Sequence, residues 1–106
     1  MTINYHIDKL KQYEPTRTEA GESAAALAKN DARVILAKFE ELAGKVCDTD
    51  NKERIVSKIS EGINATNDLI ASLSECNHSR ERIRSLVDDI EIKLEHASDW
   101  VFNQHK

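Results

Sequence analysis

From Lys52 to Phe102, small or apolar residues return at alternating intervals of three and four: Ile55, Ile59, Gly62, Thr66, Leu69, Leu73, Cys76, then Ile83, Val87, Ile90, Leu94, Ala97 and Val101. This is the spacing of one face of a helix in near-heptad register. The stripe pauses at Ser74-Glu75-Cys76-Asn77-His78-Ser79, and Arg80 stands where an apolar residue would continue it. A corner there makes two helices, with Asn77 or Ser79 as the cap of the second. Without a corner the segment is one rod of about 50 residues, roughly 75 Å at 1.5 Å per residue. The polar density favours the corner, although no Gly or Pro enforces it.

Upstream, a broader pattern predicts a helix over about 18–47. Its core-facing set is Ala20, Ala24, Leu27, Ala28, Ile35, Phe39, Leu42 and Val46. Candidate caps are Thr16 with Glu19 and Thr18 with Glu22; the first pair has the capping-box spacing. Between Ala32 and Ala37 the helix is apolar on more than one side, through Val34, Ile35 and Leu36. That width exceeds a two-stranded seam and predicts at least two neighbours. The loop Cys47-Asp48-Thr49-Asp50-Asn51 ends this helix, and Asp50 with Glu53 forms the next candidate cap. A turn so short makes the flanking helices antiparallel.

Two further helices are expected over about 51–76 and 79–103. The inward set of the first is Ile55, Val56, Ile59, Ile63, Leu69, Ile70 and Leu73; that of the second is Ile83, Leu86, Val87, Ile90, Leu94, Ala97 and Val101. Gly62 and Thr66 thin the middle of the first, either to receive a bulky neighbour or as a tolerated flaw. Residues 1–15 form a leader in which Ile3, Ile7, Leu10 and Tyr13 share one face of a short helix over about 4–12. Pro15 stops it. Alone it is too short to be stable, so it either docks or frays.

The fold expected is all-α: an antiparallel three-helix bundle over residues 16–106, with the short N-terminal helix as a fourth piece. The alternative is a helical hairpin whose long C-terminal helix makes a dimeric coiled coil. Three Gly, one Pro and the absence of sustained Val/Thr/Tyr alternation argue against strands.

A formal net charge of -4 argues against a dedicated nucleic-acid or anionic-membrane surface. No apolar run reaches membrane-spanning length, so no membrane insertion is expected. The first residues lack the apolar core of a secretory signal, which points to the cytoplasm, with delivery without a signal as the alternative. Cys47 and Cys76 make no disulfide framework and are expected as buried thiols.

Candidate chemistry is sparse. Cys76 and His78 are two apart and diverge on a helix, and a structural zinc needs more ligands than these plus His6 supply. Glu91 and Glu95 share a helix face, with Asp88 and Asp89 nearby. No Glu-x-x-His accompanies them, and His96 is adjacent rather than suitably spaced. Their expected role is a solvated acidic face. Three pairs at spacing four are expected on exposed faces: Glu41 with Lys45, Arg84 with Asp88, and Asp89 with Lys93. Arg80, Arg82 and Arg84 are the basic concentration a nucleic acid would use. No nucleophile, phosphate-loop or dinucleotide motif is present. Hence no catalytic, cofactor-binding or metal residue is nominated.

The leading expectation is a non-catalytic protein-interaction module (adaptor, small chaperone, secretion partner or inhibitor) that contacts another protein or a second copy as a homodimer. Its interface candidates are Val34, Leu36, Ile92, Trp100 and Phe102. A small metal- or ligand-dependent bundle enzyme and a nucleic-acid-binding protein are the alternatives.

Overall fold

A computed structural model of the chain describes residues 3–14, 19–75 and 79–104. It contains four helices: α1 (Ile3–Lys11), α2 (Glu19–Gly44), α3 (Lys52–Ser74) and α4 (Arg80–Phe102). Arg54 at the start of α3 lies against Trp100 at the end of α4, so these two helices run antiparallel. Gln104 beyond α4 reaches Lys45 beyond α2, so α2 and α4 point the same way. Helix α3 packs against both. On the other side of the bundle, α1 lies between α2 and α4. The molecule is elongated, 50 × 24 × 18 Å, with a radius of gyration of 14.8 Å, against roughly 13 Å for a compact globule of this length.

The corner is real and the single-rod alternative is overturned. Helix α3 ends at Ser74, and Glu75 is extended, with φ -76° and ψ 143°. Ser79 is extended as well, and its hydroxyl accepts the Arg82 N–H at 3.1 Å. One of the four orphan donors of the helix start is thereby satisfied, with no acid needed at the third position. Arg80 is exposed at this bend.

The stripe residues from Ile55 to Leu73 and from Ile83 to Val101 are all buried where described. Gly62 receives a bulky neighbour: the Phe39 ring occupies the space a Cβ would need. The buried Thr66 hydroxyl donates to the Gly62 carbonyl at 2.7 Å, one turn back in the same helix. The small layer is therefore a socket for Phe39, itself fully buried. Burying such a ring contributes about 1.5–3 kcal/mol.

Helix α1 docks. Ile7, Leu10 and Tyr13 join the same core as the long helices. Burial in turn raises the Tyr13 hydroxyl above its ordinary pKa, because the phenolate would lose its water.

Several expectations need correction. Leu27 and Val56, placed in the core by spacing, are 57% and 42% exposed. Each lies on a flank of its helix, about 100° from the buried line. Helix α2 stops at Gly44 rather than near 47. The segment just past it is tied to the residue that follows α4: the Gln104 side chain donates to the Lys45 carbonyl at 2.9 Å and accepts the Cys47 N–H at 2.7 Å. Within the last turn, the Lys45 and Val46 N–H groups bond the Leu42 and Ala43 carbonyls at 3.0 and 3.4 Å, and Val46 lies beyond the helix, half-buried. Asp50 does not cap α3. The turn is already wound, with Lys52 N–H bonded to the Thr49 carbonyl at 3.0 Å. Asn51 is the cap residue and makes no side-chain cap bond. Cys47 is half-buried rather than buried. The pairings of Thr16 and Thr18, the Ala20 side chain, and Cys76, Asn77 and His78 lie outside the described residues.

Candidate functional site

Helix α1 is held along both flanks by charge. On the α2 side, Asp31 is 5% exposed and accepts a hydrogen bond from His6 Nδ1 at 2.8 Å. A carboxylate only accepts, so the imidazole must donate. Lys9 Nζ reaches the second Asp31 oxygen at 3.4 Å. On the α4 side, Lys11 Nζ lies 2.7 Å from Glu91. At the top, Glu14 draws in Arg80 at 3.1 Å and Arg84 at 3.8 Å. Arg84 thus serves the α1 segment rather than the expected Asp88. Two arginines of the cluster the sequence offered to phosphates already face a carboxylate. The expected Glu41–Lys45 and Asp89–Lys93 pairs form, at 3.0 and 2.8 Å.

The exposed large apolar residues on α1, α2 and the end of α4 gather around α1. Leu27 and Val34 bracket Asp31 at spacings of four and three, so they lie on the α2 flank that meets α1. They are 57% and 40% exposed. Tyr5 is exposed on α1 itself, with Lys9 Nζ 5.3 Å from its ring centre. Phe102 is 81% exposed. It stands eleven residues, about three turns, beyond Glu91 and so shares the α4 flank that meets α1.

The five interface candidates are not brought together. Val34 and Phe102 lie on the two flanks of α1. Leu36 is half-buried on the flank of α2 away from Asp31. Ile92 is exposed on the outer side of α4, opposite the buried stripe, among charged residues. Trp100 is half-buried and already engaged. The Arg54 guanidinium lies 4.5 Å from its ring centre and Lys58 Nζ 5.5 Å, while His96 stacks at 6.1 Å with rings 11° apart. This cation–aromatic stack clasps α3 to α4, and leaves the Trp100 faces little room for a partner.

Spacing alone missed Leu27 and Tyr5 as surface residues, and it missed the His6–Asp31–Lys9 cluster. A signal for Asp31 was available: it lies one turn from both Ala28 and Ile35, close to the core line, where an acid needs a partner. Nothing local names that partner, which is 25 residues away.

No protein-family model, no curated protein and no solved structure matches the chain. Among the described residues, no group of three or more His, Cys, Asp or Glu is arranged to hold a metal ion. Among the same residues, no helix is long and apolar enough to cross a membrane.

Proposed function

We propose that the chain is a non-catalytic protein-interaction module whose contact surface is the α1 side of the bundle. The observation that carries this reading is where four of the six exposed large apolar side chains among the described residues lie; Val56 on α3 and Ile92 on the outer side of α4 stand apart from them. Leu27, Val34 and Phe102 flank α1 and Tyr5 sits on it, although the core closes without any of them. Exposed apolar side chains grouped on one face mark interaction sites more often than singly scattered ones do, and aromatic residues are frequent anchors. Relative to the sequence expectation, the surface keeps Val34 and Phe102 and gains Leu27 and Tyr5. Ile92, Trp100 and Leu36 drop out of it.

The partner is another protein or a second copy of this chain. The test compares the wild-type chain with Leu27→Glu/Val34→Glu and with Phe102→Glu. Sedimentation over a wide concentration range reads self-association, and capture from native extract reads a heterologous partner. The expected result is association that both variants weaken without loss of helicity. A wild-type chain that stays monomeric and captures nothing ends the reading.

A further inference from the structure

We propose that the outer flank of α3 pairs with the same flank of a second copy, so that the chain forms a parallel two-fold dimer. This face lies apart from the α1 side, and the inference goes beyond the reading of that side as a contact surface. Besides its buried stripe, α3 carries a second row at alternating spacings of four and three: Val56, Ser60, Ile63, Asn67, Ile70 and Ser74. Its apolar members recur every seven residues, and each follows a buried stripe residue (Ile55, Gly62 or Leu69) by one. The row therefore runs about 100° from the buried line. Val56 is 42% exposed, Ser60, Asn67 and Ser74 are exposed, and Ile63 and Ile70 are half-buried. A seven-residue repeat is the spacing that keeps two helices in contact along their length.

Charge names the occupant. Between Val56 and Ser74 the charged residues of α3 are Lys58, Glu61 and Asp68. Lys58 Nζ lies 5.5 Å from the Trp100 ring centre on α4 and 3.7 Å from Glu61, and Asp68 follows Glu61 by seven residues. All three thus stand on the α4 side of the helix, and the row carries none. The next place before Val56 is Glu53, so the seam begins at Val56. Two copies of net charge -4 repel wherever their acids meet; along this row none do. Its polar members also complement themselves, since a hydroxyl and an amide each donate and accept. In the parallel register Ile63 meets Ile63 and Asn67 meets Asn67, whereas an antiparallel pairing centred on the row sets Ile63 against Asn67. A lone amide among apolar layers fixes register at a cost in stability. The seam is about 27 Å long at 1.5 Å per residue. One helix face of that length falls short of the roughly 1,200 Å² of a stable interface, so the dimer is weak and reversible.

Sedimentation equilibrium of the whole chain, from micromolar to millimolar concentration, reads the dimer. Asn67 is exposed, so its substitutions leave helicity unchanged. Asn67→Glu and Asn67→Lys each set like charges across the axis and should weaken association about tenfold. Their equimolar mixture should recover it, because residue 67 then meets its opposite charge. Asn67→Leu, which makes the layer apolar, should tighten the dimer about tenfold. Ser85→Glu and Ser85→Lys change net charge equally on the exposed outer face of α4 and should stay near wild type. A chain that is monomeric at every concentration overturns the proposal, as do equal losses in the Ser85 and Asn67 variants. Without recovery in the mixture, Asn67 does not face itself and the parallel register fails. If Leu27→Glu/Val34→Glu or Phe102→Glu dissociates the dimer while the Asn67 variants do not, self-association belongs to the α1 side; that reading survives and this one fails. If the Asn67 variants dissociate the dimer while the α1-side variants alter neither mass nor partner capture, the α3 seam stands and the α1-side reading falls.

Discussion

At the α2–α3 contact the Phe39 ring lies on Gly62 beside Thr66, whose hydroxyl turns back into its own helix. At the α1–α2 contact an almost buried carboxylate, Asp31, holds an imidazole and an ammonium from a helix of nine residues. The first contact works by shape. A ring needs a hole, and a hole in a helix needs a residue without Cβ. The second works by charge placed at the edge of a small apolar patch. Shape contacts depend on volume and hardly on salt or pH, whereas charge contacts depend on both. The bundle thus joins a rigid α2–α3–α4 body to a short helix whose attachment responds to conditions.

The largest effect tests the shape contact. Phe39→Ala should cost about 3–5 kcal/mol by denaturant unfolding. Gly62→Ala should also destabilise wild type: overpacking costs about 1–3 kcal/mol, and it outweighs the ~1 kcal/mol that alanine gains over glycine in a helix. In the Phe39→Ala background the same substitution should change sign and stabilise, because the space has been vacated. A double-mutant cycle with additive terms would show that the ring and the glycine do not meet.

This contrast also explains what was legible in advance. The stripe from Ile55 to Val101 could be read because helical burial is periodic, and period is a property of one strip of chain. Ser79 as a cap could be read for the same reason: its partner, Arg82, is three residues away. Phe39 on Gly62 was legible only as a gap awaiting a large neighbour. Gln104 was not legible at all. Its bonds to Lys45 and Cys47 span 59 and 57 residues, and no local pattern announces which segment a distant amide will tie down. Leu27 failed because a residue about 100° from the buried line is buried only if a neighbour stands on that side.

Next in size is the charge contact. Asp31→Ala leaves His6 and Lys9 without their acceptor, and losing a largely buried hydrogen-bond partner costs about 1–3 kcal/mol. The loss should be local. Hydrogen exchange should show α1 amides opening while α2, α3 and α4 keep their protection, because a nine-residue helix has no independent stability. Uniform loss of protection would place Asp31 within the rigid body and dissolve the contrast.

Alkaline pH should loosen the same helix without any mutation. Burial raises Tyr13, and the Glu91 hydrogen bond raises Lys11. For a group raised in the folded state, the contribution is complete below the unfolded value, about 10 for either side chain. It is lost as pH climbs through the raised value. In Tyr5→Phe, which leaves Tyr13 as the sole tyrosine, phenolate absorbance should appear above the range of a free tyrosine. It should rise together with the exchange of α1 amides. Ionisation at the free-tyrosine pH would mean that Tyr13 is not held in the core.

The smallest effect lies at the other end of the bundle and asks whether charge can act inside the rigid body too. Arg54 lies over Trp100, with its neighbour Lys58 nearby. Arg54 is exposed, so the cation–aromatic contact is worth about 0.5–1 kcal/mol, and Arg54→Ala should lose that much. Arg54→Lys should recover part of it, since an ammonium keeps the charge but not the planar stacking. Arg54→Met should recover less, because it covers the ring without a charge. Trp100 is the sole tryptophan, so its emission reports the uncovered ring directly. Should methionine restore full stability, the contact would be packing alone, and charge would then matter to this fold chiefly where α1 meets it.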